Sequence, residues 1–180
     1  MFDPAAALVI TLSVALLLAS AGWHQLRAHA EFQSTVVAYR LLPAALSARL
    51  AWCVPAGELA IAVLLVTPRS RSAACLAGAG LLLSYAGAIA LNLQRGRRDL
   101  DCGCGGPLER RPIAAWMVGR NILLAAALGF AALPCSPRPL VLVDAVTLIG
   151  GVSVAALLYL ATDRLLGQVM PRAAALKGMA

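Results

Sequence analysis

One glycine separates Cys102 from Cys104 within the most polar interruption of an otherwise apolar sequence. Two thiols this close can form a disulfide without movement of distant parts of the chain, and strain in so small a ring makes the bond easier to reduce. Guanidinium groups near a cysteine favour the reactive thiolate over the thiol. The pair is flanked by Arg95, Arg97, Arg98, Arg110 and Arg111. The pattern predicts a catalytic thiol–disulfide couple.

The same two cysteines have other interpretations. Thiolates also bind soft metals such as Cu(I) or zinc. Two sulfurs do not complete a tetrahedral zinc site, however, and no histidine lies in this loop. We therefore predict no metal site, although a metal-handling membrane protein stays an alternative. Two unreactive loop cysteines are the remaining interpretation.

Three further cysteines lie elsewhere in the chain. Cys53 is placed roughly 13 Å below the membrane face that carries the cysteine loop, at 1.5 Å per residue. It is either a relay for a mixed disulfide or simply a small buried side chain. Cys75 and Cys135 both fall near the opposite face. They form a second candidate pair if their Cα atoms come within about 7 Å.

The composition identifies an integral membrane protein. Of the 180 residues, 61% are hydrophobic and 13% are charged, whereas about a quarter of the residues of soluble domains are charged. The net charge of +7 is spread over the gaps between apolar runs and forms no continuous basic stripe. Aromatic residues make up 5% of the chain, so few side chains could stack on nucleic-acid bases. We therefore expect no nucleic-acid partner.

Apolar runs of membrane-spanning length predict an all-α protein, an antiparallel transmembrane helix bundle that forms a single domain over residues 1–180. Residues 24–42 are mixed in polarity and predict a short interfacial helix. A basic tail follows residue 160 and is expected to be loosely ordered. The five predicted spans cover residues 5–22, 44–66, 73–93, 113–133 and 140–160. The cysteine loop, residues 94–112, lies between the third and the fourth span.

Basic residues are distributed unevenly between the two membrane faces. Five spans place the N-terminus and the turns at 67–72 and 134–139 on one face, which carries three basic residues. The other face carries eleven, and Arg120 lies within a span. Cytoplasmic loops are enriched in Lys and Arg, so the charges place the cysteine loop and the C-terminus in the cytoplasm.

Several polar residues lie inside the predicted spans. Glu58, Asn92, Arg120 and Asn121 would each cost a few kcal/mol at the membrane centre unless they are paired, so they should face the bundle interior. Arg120 can reach Glu58 or Asn92, and Glu58–Arg120 is the first pair to test. The group is either a proton path, or a polar pocket for a quinone headgroup, or a structural ion pair with interhelical hydrogen bonds.

Several stretches resemble the methylamine utilisation protein MauE family. The similarity covers roughly residues 24–133. One position differs, because Gly105 stands where the family has a bulky aromatic residue. The matching stretches are Tyr39–Pro43, the spacing from Pro55 to Glu58, Asn92–Arg97, Asp101–Cys104, and the Arg120–Asn121 pair.

The resemblance implies a multi-pass protein of the bacterial inner membrane that is related to small four-helix DoxX-like proteins. It implies a role in maturing the disulfide-rich small subunit of methylamine dehydrogenase, an exported protein, beside a thioredoxin-like partner. The core would be a four-helix bundle like that of DoxX or vitamin K epoxide reductase. The sequence establishes no cofactor; a quinone is the one candidate, from the polar residues inside the spans.

Three hypotheses follow. The protein is a membrane thiol–disulfide oxidoreductase or its accessory, a non-catalytic scaffold or chaperone for maturation, or a metal-handling protein. A loop that acts directly on periplasmic disulfides would face outward, against the charge distribution. Either electrons cross the membrane through Cys53, Cys75 or Cys135, or the arginines serve the site and not the topology.

Overall fold

The computed structural model describes residues 3–102, 112–134, 138–139 and 141–177. Within those ranges the chain is helical and forms no β-strand, which confirms the predicted all-α class. The single-domain assignment and the similarity to a DoxX-like core stay predictions. The helices are α1 (Pro4–Arg27), α2 (His29–Ala38), α3 (Ala44–Val66), α4 (Arg71–Gln94), α5 (Ala115–Ala131) and α6 (Leu142–Lys177).

Four of these helices are long and apolar enough to cross a membrane: α1, α3, α4 and the part of α6 that runs from Leu142 to Leu166. Helix α5 is equally apolar but has 17 residues. At 1.5 Å per residue it is about 25 Å long, slightly less than the hydrocarbon core of about 30 Å. The chain is therefore a helical membrane protein, and the fifth crossing stays a prediction.

The first helix is longer than the sequence predicted. Asp3 caps it by accepting a 2.8 Å hydrogen bond from Ala5 N, and Pro4 supplies a preset first residue. The helix continues through Trp23 to Arg27, whose guanidinium lies 4.8 Å from the Trp23 ring centre. The interfacial helix is consequently shorter than the predicted stretch 24–42 and begins only at His29, as α2.

Contacts at the ends of the helices show which segments lie together at one end of the bundle. Arg138 binds Asp3 at 2.9 Å and Asp144 at 2.8 Å, which joins the start of α1 to the start of α6. Ser72 Oγ donates to Ala132 O at 3.3 Å, which joins α4 to the end of α5. The pKa of Arg138 is raised above the ordinary value of an arginine, mainly by the hydrogen bond to Asp144 and secondly by the one to Asp3. These segments share one end of the bundle, and the described ends of the cysteine loop, residues 94–102 and 112, lie at the other.

Small side chains allow the helices to approach closely. A Cβ on Gly22 would lie 3.0 Å from Pro55 O on α3, and a Cβ on Gly78 would lie 2.8 Å from Leu128 on α5. Helix α1 accordingly packs mainly against α3, and α4 against α5. Without a hydrophobic force between helices in lipid, such close van der Waals contact is what holds a bundle together.

Helix α6 is the least buried of the long helices. It packs mainly against α1, and the apolar window that identifies it as a span contains no fully buried residue. The helix also continues through the segment after Leu160, where the sequence predicted a loosely ordered tail. This extension adds a turn that carries Asp163 into the bundle, with consequences for the site.

Candidate functional site

A short backbone pairing closes the base of the cysteine loop. Ile113 N donates to Leu100 O at 2.9 Å, and Asp101 pairs with Pro112 in an isolated antiparallel bridge. Cys102 follows this bridge directly. The pairing brings the two ends of the loop together on top of the bundle, so the position of Cys102 is set by the fold and not by the loop alone.

Cys102 is half-buried and packs against a small apolar cluster of Ile89, Ile113 and Met117. This cluster is formed by α4, the end of the loop and α5. The second predicted cysteine, Cys104, lies outside the described residues. A thiol at the position of Cys102 is accessible to a reactant while its surroundings partly exclude water.

A glycine forms the C-terminal cap of α4. Gly96 has φ 73°, a backbone conformation that glycine adopts without strain. Its N–H donates to Leu93 O at 3.0 Å, and Arg97 N donates to Asn92 O at 3.0 Å. This pair of bonds is a Schellman motif, which satisfies the last carbonyls of the helix and turns the chain sharply. The turn directs the chain toward α2.

Two of the flanking arginines bind backbone carbonyls and not the cysteines. The Arg97 guanidinium donates to Ala38 O at 2.7 Å and to Tyr39 O at 3.3 Å, and Arg95 donates to Arg40 O at 3.4 Å. These carbonyls end α2, and a helix leaves its last carbonyls without partners of its own. The prediction that nearby guanidinium groups favour the thiolate therefore has no support from Arg95 and Arg97. These two arginines instead bind the loop to the end of α2.

Asn92 is buried, as its position within a span predicts, but it serves the same fastening. Its Oδ1 accepts from Arg97 at 3.1 Å and its Nδ2 donates to Ala88 O at 3.1 Å. It is not one of the residues that line the polar cavity described next. Asn92 thus positions the arginine that holds the loop.

A cavity of about 240 Å³, here called the polar cavity, lies inside the bundle below Cys102. It is bounded by α1, α3, α4, α5 and α6. Four of the residues predicted from the sequence line it together: Cys102, Glu58, Arg120 and Asn121. The fold therefore brings the cysteine and the intramembrane charges to one space. Its other polar lining residues are Ser20, His24, Tyr85, Asp101, Tyr159 and Asp163.

The predicted Glu58–Arg120 ion pair is wrong. Arg120 binds Asp163 at 2.7 Å, and its guanidinium lies 5.2 Å from the Trp116 ring centre and 5.3 Å from that of Tyr159. The sequence missed this partner because the fifth span was predicted to end at residue 160. The helical extension of α6 supplies the carboxylate that Arg120 uses.

Glu58 has different partners. Its Oε1 accepts from Tyr85 OH at 2.7 Å and from Gln25 Nε2 at 3.4 Å. Glu58 is 1% exposed, and among the described residues its Oε2 has no hydrogen-bond partner. Sequence reasoning missed both Gln25 and Tyr85. A signal was available for Gln25, which lies one turn after Gly22 and so faces α3 with it.

A second cavity of about 150 Å³, here called the apolar cavity, lies between α2, α3 and α4. Its walls are mostly aliphatic and aromatic. Cys102 and Tyr85 line both cavities, Gln25 lines the apolar one and Glu58 the polar one. The other lining residues of the apolar cavity are Phe32, Thr35, Val36, Tyr39, Leu41, Leu42, Ser47, Leu50, Val54, Ala88 and Ile89.

The remaining cysteines do not join this site. Cys53 is exposed on the outer surface of α3, so the predicted place in the polar interior, and the alternative of a buried side chain, are both wrong for it. Cys75 is fully buried in the apolar core of the bundle. Its proposed partner Cys135 lies outside the described residues. Neither Cys53 nor Cys75 lines either of the two cavities that Cys102 lines.

Within the described ranges no group of three or more His, Cys, Asp or Glu side chains is placed to hold a metal ion. The cavities that Cys102 lines contain a carboxylate bonded to a phenol and an amide, Glu58 with Tyr85 and Gln25, and a separate ion pair of Arg120 and Asp163. Such a set can accept, hold and donate protons next to a thiol.

The chain matches the family model described as methylamine utilisation protein MauE over residues 3–134. It is 36% identical to the methylamine utilization protein MauE of Methylophilus methylotrophus over 171 residues, which cover 92% of this chain and 88% of that protein. It is 39% identical to the protein of that name from Paracoccus versutus over 168 residues, 92% and 90% of the two chains. No solved structure matches the chain. The chain belongs to the MauE family of methylamine utilisation proteins.

Proposed function

We propose that this protein assists the maturation of an exported, disulfide-rich protein by thiol–disulfide exchange at Cys102 and Cys104. By family, that substrate is the small subunit of methylamine dehydrogenase. The observation that carries the proposal is the placement of Cys102, half-buried on a closed loop base and lining two cavities at once. An ordinary loop cysteine needs neither a fixed position nor an interior polar space beneath it.

The exchange has two steps. A thiolate of the pair attacks one sulfur of a disulfide in a thioredoxin-like partner, which forms a mixed disulfide and releases the partner's other sulfur as a thiolate. The second cysteine of the pair then attacks the mixed disulfide. The products are a Cys102–Cys104 disulfide and a reduced partner, and the reverse sequence oxidises the partner. The direction is set by the two reduction potentials.

The polar cavity supports this chemistry by handling protons. Forming a thiolate releases one proton from each cysteine. The Oε2 of Glu58, which has no hydrogen-bond partner among the described residues, is an acceptor in the polar cavity that Cys102 also lines. Tyr85 links Glu58 to both cavities. Burial of these groups keeps the exchanged protons inside the bundle.

The protein acts in the bacterial inner membrane as a multi-pass protein. Its apolar helices support the membrane location, and the small-subunit substrate supports the inner membrane, from which such a protein reaches exported chains. The distribution of basic residues favours a cytoplasmic cysteine loop. Direct exchange with an exported disulfide requires a periplasmic loop, in which case the flanking arginines serve the site and not the topology. A relay of electrons through Cys53 or Cys75 has no support, because the one is exposed and the other lies in an apolar core.

The test replaces Cys102, Cys104 or both by serine in a strain that lacks its own MauE protein. We expect each variant to lower the yield of correctly disulfide-bonded small subunit at least about tenfold, because serine supplies no thiolate nucleophile. One of the single variants should also accumulate a mixed disulfide with a thioredoxin-like protein, visible as a reducible adduct. The membrane content of the protein is measured in parallel.

The matched control is Cys53→Ser, which removes an exposed cysteine from the outer surface of α3. It should leave maturation unchanged. Full maturation in the double serine variant would refute thiol exchange. A yield that falls only in proportion to the amount of protein in the membrane would also refute it and would favour the non-catalytic scaffold.

A further inference from the structure

The wall between the two cavities is a chain of hydrogen bonds that ends at an unused acceptor. Tyr85 and Gln25 both donate to Glu58 Oε1, at 2.7 Å and 3.4 Å. Gln25 is 4% exposed and lines the apolar cavity, and among the described residues its Oε1 has no hydrogen-bond partner. A buried carbonyl oxygen is costly without a donor, so an occupant that carries a hydroxyl group fits here.

The dimensions of the apolar cavity limit what that occupant can be. A cavity of about 150 Å³ with aliphatic and aromatic walls holds one benzene-sized ring. It is too small for a fused multi-ring cofactor or for a peptide. The occupant is therefore a single six-membered ring, with any longer substituent leaving through the side of the bundle.

The exposed residues at the cavity are apolar. Leu41, Leu42 and Leu50 line the cavity and are 38%, 41% and 38% exposed, respectively. Large apolar side chains that are exposed on a membrane protein beside a cavity mouth form a path for a lipid-soluble molecule. Charged and strongly hydrated ligands would have to cross this apolar rim.

Cys102 lines the same cavity from the loop side. A thiol couple that is to be used repeatedly must pass its two electrons to another molecule. The cavity thus places a ring-sized, membrane-facing space, an unused hydrogen-bond acceptor and a half-buried cysteine together. These three features meet at no other place in the described part of the chain.

We propose that the apolar cavity binds the ring of a lipid-soluble quinone, which exchanges electrons with the Cys102–Cys104 couple. This inference rests on the proposed function. Two S–H bonds break and one S–S bond forms, and the two electrons and two protons pass to the quinone oxygens to give a quinol. Gln25 Oε1 accepts the hydrogen bond of one new hydroxyl group. The Tyr85–Glu58 pair exchanges protons with the polar cavity.

The test uses the purified full-length protein in lipid nanodiscs and a photoreactive benzoquinone with a short alkyl tail. After illumination, labelled peptides are identified by mass spectrometry. We expect labelling on the segments that form the cavity, from α2 and the first half of α3, and its loss when unlabelled quinone is added in excess. A saturated phospholipid added at the same concentration should not compete. Equal competition by the phospholipid would overturn the proposal, since the cavity would then be a lipid contact.

Two variants and a matched control sharpen the result. Ala88→Phe fills the cavity with a ring and should abolish the labelling, whereas the same change at Ala60, which is exposed on α3, should not. Gln25→Leu removes the acceptor and should raise the concentration of the corresponding quinol needed for half-maximal competition about tenfold, the loss expected for one buried hydrogen bond, while leaving that of the quinone, which has no donor, unchanged. Unchanged labelling in Ala88→Phe, or an unchanged quinol concentration in Gln25→Leu, would also overturn the proposal.

The labelling is repeated with the Cys102→Ser variant. Binding does not require the thiol, so labelling should persist. If the cavity is not labelled while the serine variants abolish maturation, the quinone proposal fails and the proposed function stands. If the cavity is labelled while the serine variants mature the substrate normally, the proposed function fails.

Discussion

At the scale of single residues, the charges inside the bundle were predicted as a set but paired incorrectly. Glu58 and Arg120 both line the polar cavity, as their positions within spans require. Each has a nearer partner, Tyr85 for the carboxylate and Asp163 for the guanidinium. Depth in the membrane can be counted along a helix, but the rotation of the helix about its axis decides which side chains meet.

The pairing can be measured with a double-mutant cycle on Arg120 and Asp163. Asp163→Ala leaves the Arg120 guanidinium, whose side chain is 14% exposed, without its carboxylate. The change should lower the free energy of unfolding by about 2 kcal/mol. This loss is smaller than that for breaking a fully buried ion pair, because both groups are partly exposed. Arg120→Leu in that background should recover part of the loss. Unfolding in mixed micelles gives the four free energies, and the coupling should be about 1 kcal/mol or more.

The comparison cycle uses Arg120→Leu with Glu58→Gln, the pair that the sequence predicted. Its coupling should be clearly smaller than that of Arg120 with Asp163, because the two groups share a cavity but no hydrogen bond. A larger coupling for Glu58 than for Asp163 would contradict the observed ion pair.

At the scale of helices, the contact between α1 and α3 determines the shape of the site. Gly22 lies against Pro55 O and against the Cβ of Glu58, at 3.0 Å and 3.3 Å from the position of an added Cβ. The close approach brings Gln25, one turn further on, to Glu58. The wall between the two cavities therefore depends on a residue that has no side chain.

Gly22→Leu should consequently destabilise the bundle. The new side chain meets backbone and helix atoms that cannot move away cheaply, and overpacking of this kind costs about 1–3 kcal/mol. The measurement is the thermal midpoint of the purified protein in detergent. Gly80→Leu is the matched control, because a Cβ there has no neighbour within 4 Å. It should be neutral or stabilising by up to about 1 kcal/mol, since leucine favours a helix over glycine. Equal effects of the two changes would contradict the close α1–α3 contact.

At the scale of the whole molecule, the alternation of the helices links the two ends of the bundle to the two sides of the membrane. The contacts of Arg138 with Asp3 and of Ser72 with Ala132 place the turn after α3 at the end opposite to the cysteine loop. A probe at one end must therefore report the opposite side from a probe at the other. The distribution of basic residues predicts which side is which.

Thr67→Cys and Asp99→Cys, each in a chain whose five native cysteines are replaced by serine, provide the two probes. Both positions are exposed, and they lie at opposite ends of the bundle. In intact spheroplasts a membrane-impermeant thiol reagent should label Thr67→Cys, whereas Asp99→Cys should be labelled only after the membrane is opened. Labelling of Asp99→Cys from outside would place the cysteine loop in the periplasm. Labelling of both from one side would contradict the alternation itself.

The sequence by itself determined the features that depend on short stretches of chain. Hydropathy identified the helices and the membrane, and their order predicted which turns share an end. The cysteine loop and its surrounding signature were sufficient to identify the family. Each of these is a property of neighbouring residues, so no contact between distant segments was needed to predict it.

Only the tertiary structure decided how those helices face one another. The spans are apolar on most of their surface, so no sequence pattern indicates that Cys53 points outward, that Asp163 reaches Arg120, or that Tyr85 binds Glu58. Those facts follow from the rotation and register of whole helices, which close packing of small residues such as Gly22 sets. The meeting of two cavities at Cys102 is a result of that packing.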